Sequence, residues 1–139
     1  MTGMNQGAVT RARVVLADDD EDWRDLLAGS LELAGYEVSQ AADGLELRNL
    51  LEVLAARGSV PDLVVSDHRM PHATGLEVLA WTRERTPEVP FILLSAMAAP
   101  QIREPALELG AVAVFAKPVD IKFLLAQVGE ILERKASSH

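Results

Sequence analysis

The sequence predicts an α/β domain: a doubly wound, five-stranded parallel sheet with helices on both faces. Three observations predict it. Short runs that are apolar throughout, such as Val14-Val15-Leu16 and Phe91-Ile92-Leu93-Leu94, have the composition of strands buried on both faces. These runs alternate with segments whose apolar residues recur at helical spacing, the order of βαβ units joined by right-handed crossovers. Each of the central runs stops at a polar or charged residue, and in such sheets ligands bind outside the carboxyl ends of the strands.

Taken in order, Arg13-Val14-Val15-Leu16-Ala17 is the first strand, ended abruptly by Asp18-Asp19-Asp20-Glu21-Asp22. Trp23, Leu26, Leu27, Ser30, Leu31 and Ala34 then define a helix face that stops at Gly35, and Tyr36-Glu37-Val38-Ser39-Gln40-Ala41 is the second strand. After an Asp43-Gly44 turn, Leu47, Leu50, Leu51 and Leu54 mark the second helix, closing near Gly58 and Pro61. Leu63-Val64-Val65-Ser66 is the third strand, ending at Asp67. Pro71 disfavours helix just before it, so the chain leaves the sheet there as a loop, and a helix follows from Gly75 to Arg85. Phe91 to Leu94 forms the fourth strand, ending at Ser95, and Val112 to Ala116 the fifth, ending at Lys117-Pro118. Pro100 suits the first turn of the helix between them. Pro105 lacks the amide proton that an interior position needs, so that helix is expected to be short, kinked or displaced. Ile121, Leu124, Leu125, Val128 and Leu132 share one face of the last helix.

With 139 residues and 49% hydrophobic content, the chain suits one domain with a sizeable core, expected at 13–135 between tails at 1–12 and 136–139. The absence of cysteine excludes a disulfide framework, a thiolate zinc site and a cysteine nucleophile. Residues 1–12 carry no apolar stretch and no later run approaches membrane-spanning length, so a cytoplasmic protein is expected. A net charge of −8 repels nucleic-acid phosphates and anionic lipid, which favours a protein or cation partner and disfavours nucleic acid and membrane.

The predicted strand ends bring Asp18, Asp19, Asp67, Ser95 and Lys117 to one edge. Clustered carboxylates repel one another and favour proton uptake or a bound divalent cation. Oxygen ligands alone favour magnesium, manganese or calcium, and magnesium commonly sits between carboxylates and a phosphate. A carboxylate can attack a phosphoryl group when fixed cations neutralise its equatorial oxygens. Asp67, on a central strand, is the best nucleophile; the adjacent Asp18 and Asp19 are better placed to hold metal, and Ser95 and Lys117 to donate to a transferred phosphoryl oxygen.

Leu16-Ala17-Asp18-Asp19, Pro61-Asp62-Leu63-Val64-Val65-Ser66-Asp67-His68-Arg69-Met70-Pro71 with Gly75-Leu76, Leu94-Ser95-Ala96, and Gly110-Ala111 through Phe115-Ala116-Lys117-Pro118 occur in an order that is specific as a set. Over residues 14–133 the chain resembles the receiver domain of bacterial two-component response regulators. The resemblance implies a flavodoxin-like sheet of strand order 2-1-3-4-5, with Asp67 as phosphoacceptor. It implies Asp18 and Asp19 as the acidic metal pair, the backbone carbonyl of Arg69 as a further ligand, Ser95 as hydroxyl switch and Lys117 as phosphate-contacting lysine. The cofactor it implies is magnesium, with manganese as a substitute. The partners are a histidine kinase or histidine phosphotransfer protein, a downstream protein effector and a second copy of the chain upon phosphorylation. A receiver of this kind is not an enzyme beyond phosphorylating itself from small donors and dephosphorylating itself, with Arg69 and Met97 at positions that tune the latter.

One position departs from the family. An aromatic residue usually stands three residues before the lysine and swings inward on activation; here it is Val114, with Phe115 directed by strand alternation to the opposite face. An atypical readout is therefore expected around the fourth helix, fifth strand and last helix. Asp20, Glu21 and Asp22 read as helix caps, His68 as a loop side chain without chemistry of its own, and Trp23 and Trp81 as packing residues. Two rivals remain: an aspartyl-nucleophile phosphohydrolase using Asp18-Asp19-Asp20, and an interaction module that is never phosphorylated. The former is disfavoured by Asp22, where such enzymes carry Thr or Val, and by the absence of room for a cap; the latter by the complete set of site residues. A nucleotide-binding enzyme is weaker still, since no phosphate-binding glycine loop is present. The 139 residues leave no room for an output domain after Lys135, so the expectation is either a stand-alone regulator or a receiver cut from a larger regulator or hybrid kinase.

Overall fold

The computed structural model describes residues 11–96 and 100–137. The elements run β1 (Arg13–Ala17), α1 (Glu21–Leu33), β2 (Glu37–Ala41), α2 (Gly44–Ala56), β3 (Leu63–Asp67), α3 (Gly75–Arg85), β4 (Phe91–Ser95), α4 (Pro100–Glu108), β5 (Ala113–Ala116) and α5 (Ile121–Ser137). All pairings are parallel and the sheet order is β2-β1-β3-β4-β5, as expected.

Strand alternation splits the core into two layers. Val14, Leu16, Leu63, Val65, Ile92 and Leu94 face Leu27 and Leu31 of α1 and Leu124, Val128 and Ile131 of α5. Val15, Ala17, Val64, Phe91, Leu93 and Val114 face Leu47 and Leu51 of α2, Val78 and Leu79 of α3 and Ala106 of α4. β3 and β4 are buried along their whole length, whereas the edge strand β2 is mostly half-exposed, which explains its polar sequence.

Several details differ from the pattern read in the sequence. Leu26, placed on the inner face of α1, is 60% exposed, because the stripe that packs runs through Leu27, Ala28 and Leu31. In α5, Ile131 is buried and Leu132 only partly so, a one-residue rotation of the inner face. Val112 precedes β5 and is exposed. α4 is short, begins at Pro100 and accommodates Pro105 in its interior.

Arg83 ties the far ends of α3 and α4 together, donating from three guanidinium nitrogens to the carbonyls of Leu109, Val89 and Gly110 at 2.7, 2.8 and 3.0 Å. At the amino-terminal edge of the sheet, Asp62 accepts from the Arg13 amide at 2.8 Å and pairs with Lys135 at 2.7 Å.

Candidate functional site

Register brings the site together. Ala17 lies beside Ser66, so Asp18 leaves β1 level with Asp67; Asp67 lies beside Leu94 and Ser95 beside Ala116, so Ser95 and Lys117 emerge one step further on. Residues up to 99 positions apart in the chain thus meet at one edge: Lys117 Nζ lies 3.1 Å from Asp18 Oδ2 and 3.5 Å from Asp67 Oδ2.

Asp18 is fully buried and held on every side. Its Oδ1 accepts the Asp20 amide at 2.9 Å, and its backbone carbonyl accepts from Arg24 Nη1 at 2.7 Å, with Arg24 also reaching Gln40 of β2 at 2.9 Å. Asp19 is exposed at the rim of the site. Asp20 caps α1 by accepting the Trp23 amide at 3.2 Å, and Glu21 and Asp22 stand in the first turn, where carboxylates favour the positive end of the helix dipole.

Asp67 ends β3 almost buried, and the loop beyond it turns straight back. The His68 amide donates to the Leu94 carbonyl at 2.7 Å, and the Gly75 amide to the His68 carbonyl at 2.8 Å. Gly75 permits that return, since a Cβ there would collide with the Asp67 carbonyl and the Leu93 side chain. Thr74 and Glu77 then close a capping box on α3. His68 is not idle: its Nδ1 accepts the Leu76 amide at 3.4 Å, and burial, aided by Arg69, holds its imidazole below the ordinary value and so favours the neutral form that can accept.

Burial and the neighbouring Asp18 carboxylate push the Asp67 pKa up to about 6, against the pull of Lys117. Burial weakens the Lys117 ammonium, but the bonds to Asp18 and Asp67 outweigh it, and its pKa stands above the usual value. Asp18, Asp19 and Asp67 each present an oxygen within 4.8 Å of the others. An all-oxygen set with one carboxylate driven toward protonation fits a hard divalent cation, which would relieve the same repulsion.

The structure thus brings Asp18, Asp19, Asp67 and Lys117 together, with Ser95 buried at the adjacent strand end and Arg69 exposed in the loop two residues past Asp67. Met97 lies outside the described residues. The sequence predicts packing alone for Trp23. It does pack, half-buried, against the core layer between the sheet, α1 and α5, yet its ring centroid is also 5.2 Å from Lys117 Nζ. Its place in the first turn after the acidic pair is the signal that could have shown this. Val114 is buried beneath α4, and its carbonyl accepts from Arg103 at 3.0 Å; Phe115 lies on the opposite face against Phe123, edge to face, with centroids 5.1 Å apart. Asp20, the second aspartate of the rival phosphohydrolase motif, is engaged as a cap, and both oxygens of Asp18 are occupied, an arrangement ill suited to a nucleophile there.

Comparison with known proteins points the same way. The chain is 37% identical over 131 residues to the transcriptional regulatory protein PrrA of Mycobacterium tuberculosis, covering 94% of this chain and 54% of PrrA. It is 35% identical over 124 residues to the DNA-binding dual master transcriptional regulator RpaA of Synechocystis, covering 88% of this chain and 49% of RpaA. The chain therefore spans about half the length of these relatives. Among solved structures, the CheY-like receiver domain protein of Methanospirillum hungatei superimposes with a TM-score of 0.83 at 26% identity, covering 94% of this chain and all of that one. The HemR receiver domain of Leptospira biflexa gives 0.80 at 31% identity, covering 88% and 94%. The sequence profile of the response regulator receiver domain matches residues 14–129. With the sheet order, the acidic cluster and the lysine beside it all in place, the chain belongs to the response regulator receiver domain family.

Proposed function

We propose that Asp67 accepts a phosphoryl group and that the resulting aspartyl phosphate switches a protein-binding surface. The observation that carries this reading is the contact of Asp67 with Lys117 at 3.5 Å inside a cluster of three carboxylates, on the central strand of a receiver fold. A carboxylate oxygen of Asp67 attacks phosphorus while the bond from phosphorus to the donor breaks: to imidazole nitrogen of a histidine kinase or histidine phosphotransfer protein, or to the carboxyl oxygen of acetyl phosphate. A magnesium or manganese ion held by Asp18, Asp19, Asp67 and the Arg69 carbonyl would supply positive charge to the phosphoryl oxygens. Lys117 supplies a second, fixed cation, and the Ser95 hydroxyl donates to the new dianion. The pull of that dianion on Ser95 and Lys117, which begin at the ends of β4 and β5, biases the α4-β5-α5 surface. Buried Val114 and the Arg103 contact replace the usual aromatic device there. A separate protein, or a second copy of this chain, reads the change.

RpaA is a DNA-binding regulator; for this chain we propose protein partners, because a net charge of −8 repels phosphate backbones. Among the described residues no helix is long and apolar enough to cross a membrane. From membership of the receiver family, and not from that absence, we propose a cytoplasmic location shared with its phosphoryl donor. The role is signalling rather than turnover of a substrate. Incubation with acetyl phosphate and magnesium should add one phosphoryl group to the intact mass, and Asp67→Asn or removal of metal should abolish it. A folded, metal-binding protein that gains no mass from acetyl phosphate or from a phosphorylated histidine donor would instead be an unphosphorylated interaction module.

A further inference from the structure

Asp18 has no idle carboxylate oxygen: Oδ1 accepts the Asp20 amide and Oδ2 the Lys117 ammonium. A divalent cation entering among Asp18, Asp19 and Asp67 competes with Lys117 for Oδ2 and repels it. An ammonium displaced from that carboxylate retains Asp67 Oδ2 at 3.5 Å, but the cation draws on Asp67 as well, so a contact that uses no carboxylate oxygen helps to keep the lysine there. Trp23 offers one. Its ring centroid stands 5.2 Å from Lys117 Nζ, within cation–π range, and the π face attracts the ammonium without consuming a carboxylate oxygen. The indole packs its apolar body against the α1–α5 core layer, and the Asp20 cap on the Trp23 backbone amide fixes the first turn of the helix that carries it.

We propose that Trp23 is a positioning residue that seats the Lys117 ammonium when a divalent cation takes the Asp18 carboxylate, so that cation and lysine occupy the site together. This rests on the reading of the three aspartates as a cation site. Loss of the π face makes lysine and metal compete more directly, so Trp23 raises metal affinity through Lys117 alone.

The test is calorimetric titration with magnesium of the unaltered protein, Trp23→Leu, Trp23→Phe, and each of these with Lys117→Ala, with circular dichroism to establish folding. Leucine retains apolar packing without a π face, and phenylalanine retains both in smaller form. Trp23→Leu should weaken magnesium binding about two- to fivefold, the span of an exposed to partly desolvated cation–π contact, and Trp23→Phe by less. In the Lys117→Ala background neither substitution should matter, which separates seating of the lysine from a general structural role. Equal affinity for all single variants overturns the proposal, as does a Trp23→Leu loss that persists without Lys117. Failure of the unaltered protein to bind magnesium overturns the cation-site reading itself, and this one with it.

Discussion

Asp67 carries the electrostatic tension of the site, because the fold holds its carboxylate against burial and against Asp18. An acid whose folded pKa is raised to about 6 binds its proton more tightly folded than unfolded. Stability from this group is therefore greatest below the unfolded value near 3.8 and is lost as pH rises toward 6. Asp67→Asn removes the ionisation, and the metal-free variant should be more stable than the unaltered protein at pH 7 by about 1–2 kcal/mol, allowing for solvent at the open edge of the site. The gain should disappear near pH 4. Urea denaturation at the two pH values measures it, and a variant less stable at pH 7 would show that Lys117 already compensates the charge in full.

At the scale of elements, the β3–α3 connection decides whether Asp67 stands where Lys117 can reach it. Gly75→Ala forces a methyl group into the Asp67 carbonyl and Leu93, a clash involving backbone that cannot be relieved by rotating a side chain. The variant should lose about 1–3 kcal/mol in thermal or urea denaturation, and magnesium affinity should fall with it as the strand end shifts. Unchanged stability would mean that the loop yields without cost. Thr74→Ala, which removes the capping box of the same helix, should cost about 1 kcal/mol while leaving magnesium affinity unchanged, since Thr74 touches neither Asp67 nor Lys117. The elements themselves were legible in the sequence because uninterrupted apolar runs have few alternatives to a buried parallel strand. The rotations within α1 and α5 were not, because helical spacing admits Leu26 or Ala28, and Ile131 or Leu132, equally well. Only packing against the sheet chooses between them.

For the molecule as a whole, a parallel sheet turns four distant stretches of chain into one acidic edge, and that edge was legible because strand ends can be read from where apolar runs stop. The double role of Trp23 was not, since an aromatic residue on an amphipathic helix looks the same whether its ring meets only core or also an ammonium. Nor was the Nδ1 contact of His68 with the start of α3, which depends on how tightly the loop folds back. If the edge is a cation site, magnesium at a hundred times its dissociation constant should stabilise the protein by about 2.7 kcal/mol in denaturation, and Asp18→Asn should lose most of that gain. Equal stabilisation in both would place the ion elsewhere. The central claim is that phosphate goes to Asp67, and borohydride trapping tests it most directly. Protein treated with acetyl phosphate and magnesium is reduced with borohydride, which converts an aspartyl phosphate to homoserine, and the modified peptide is located by mass spectrometry. Homoserine is expected at position 67; homoserine at position 18, or at neither, would contradict phosphorylation of Asp67.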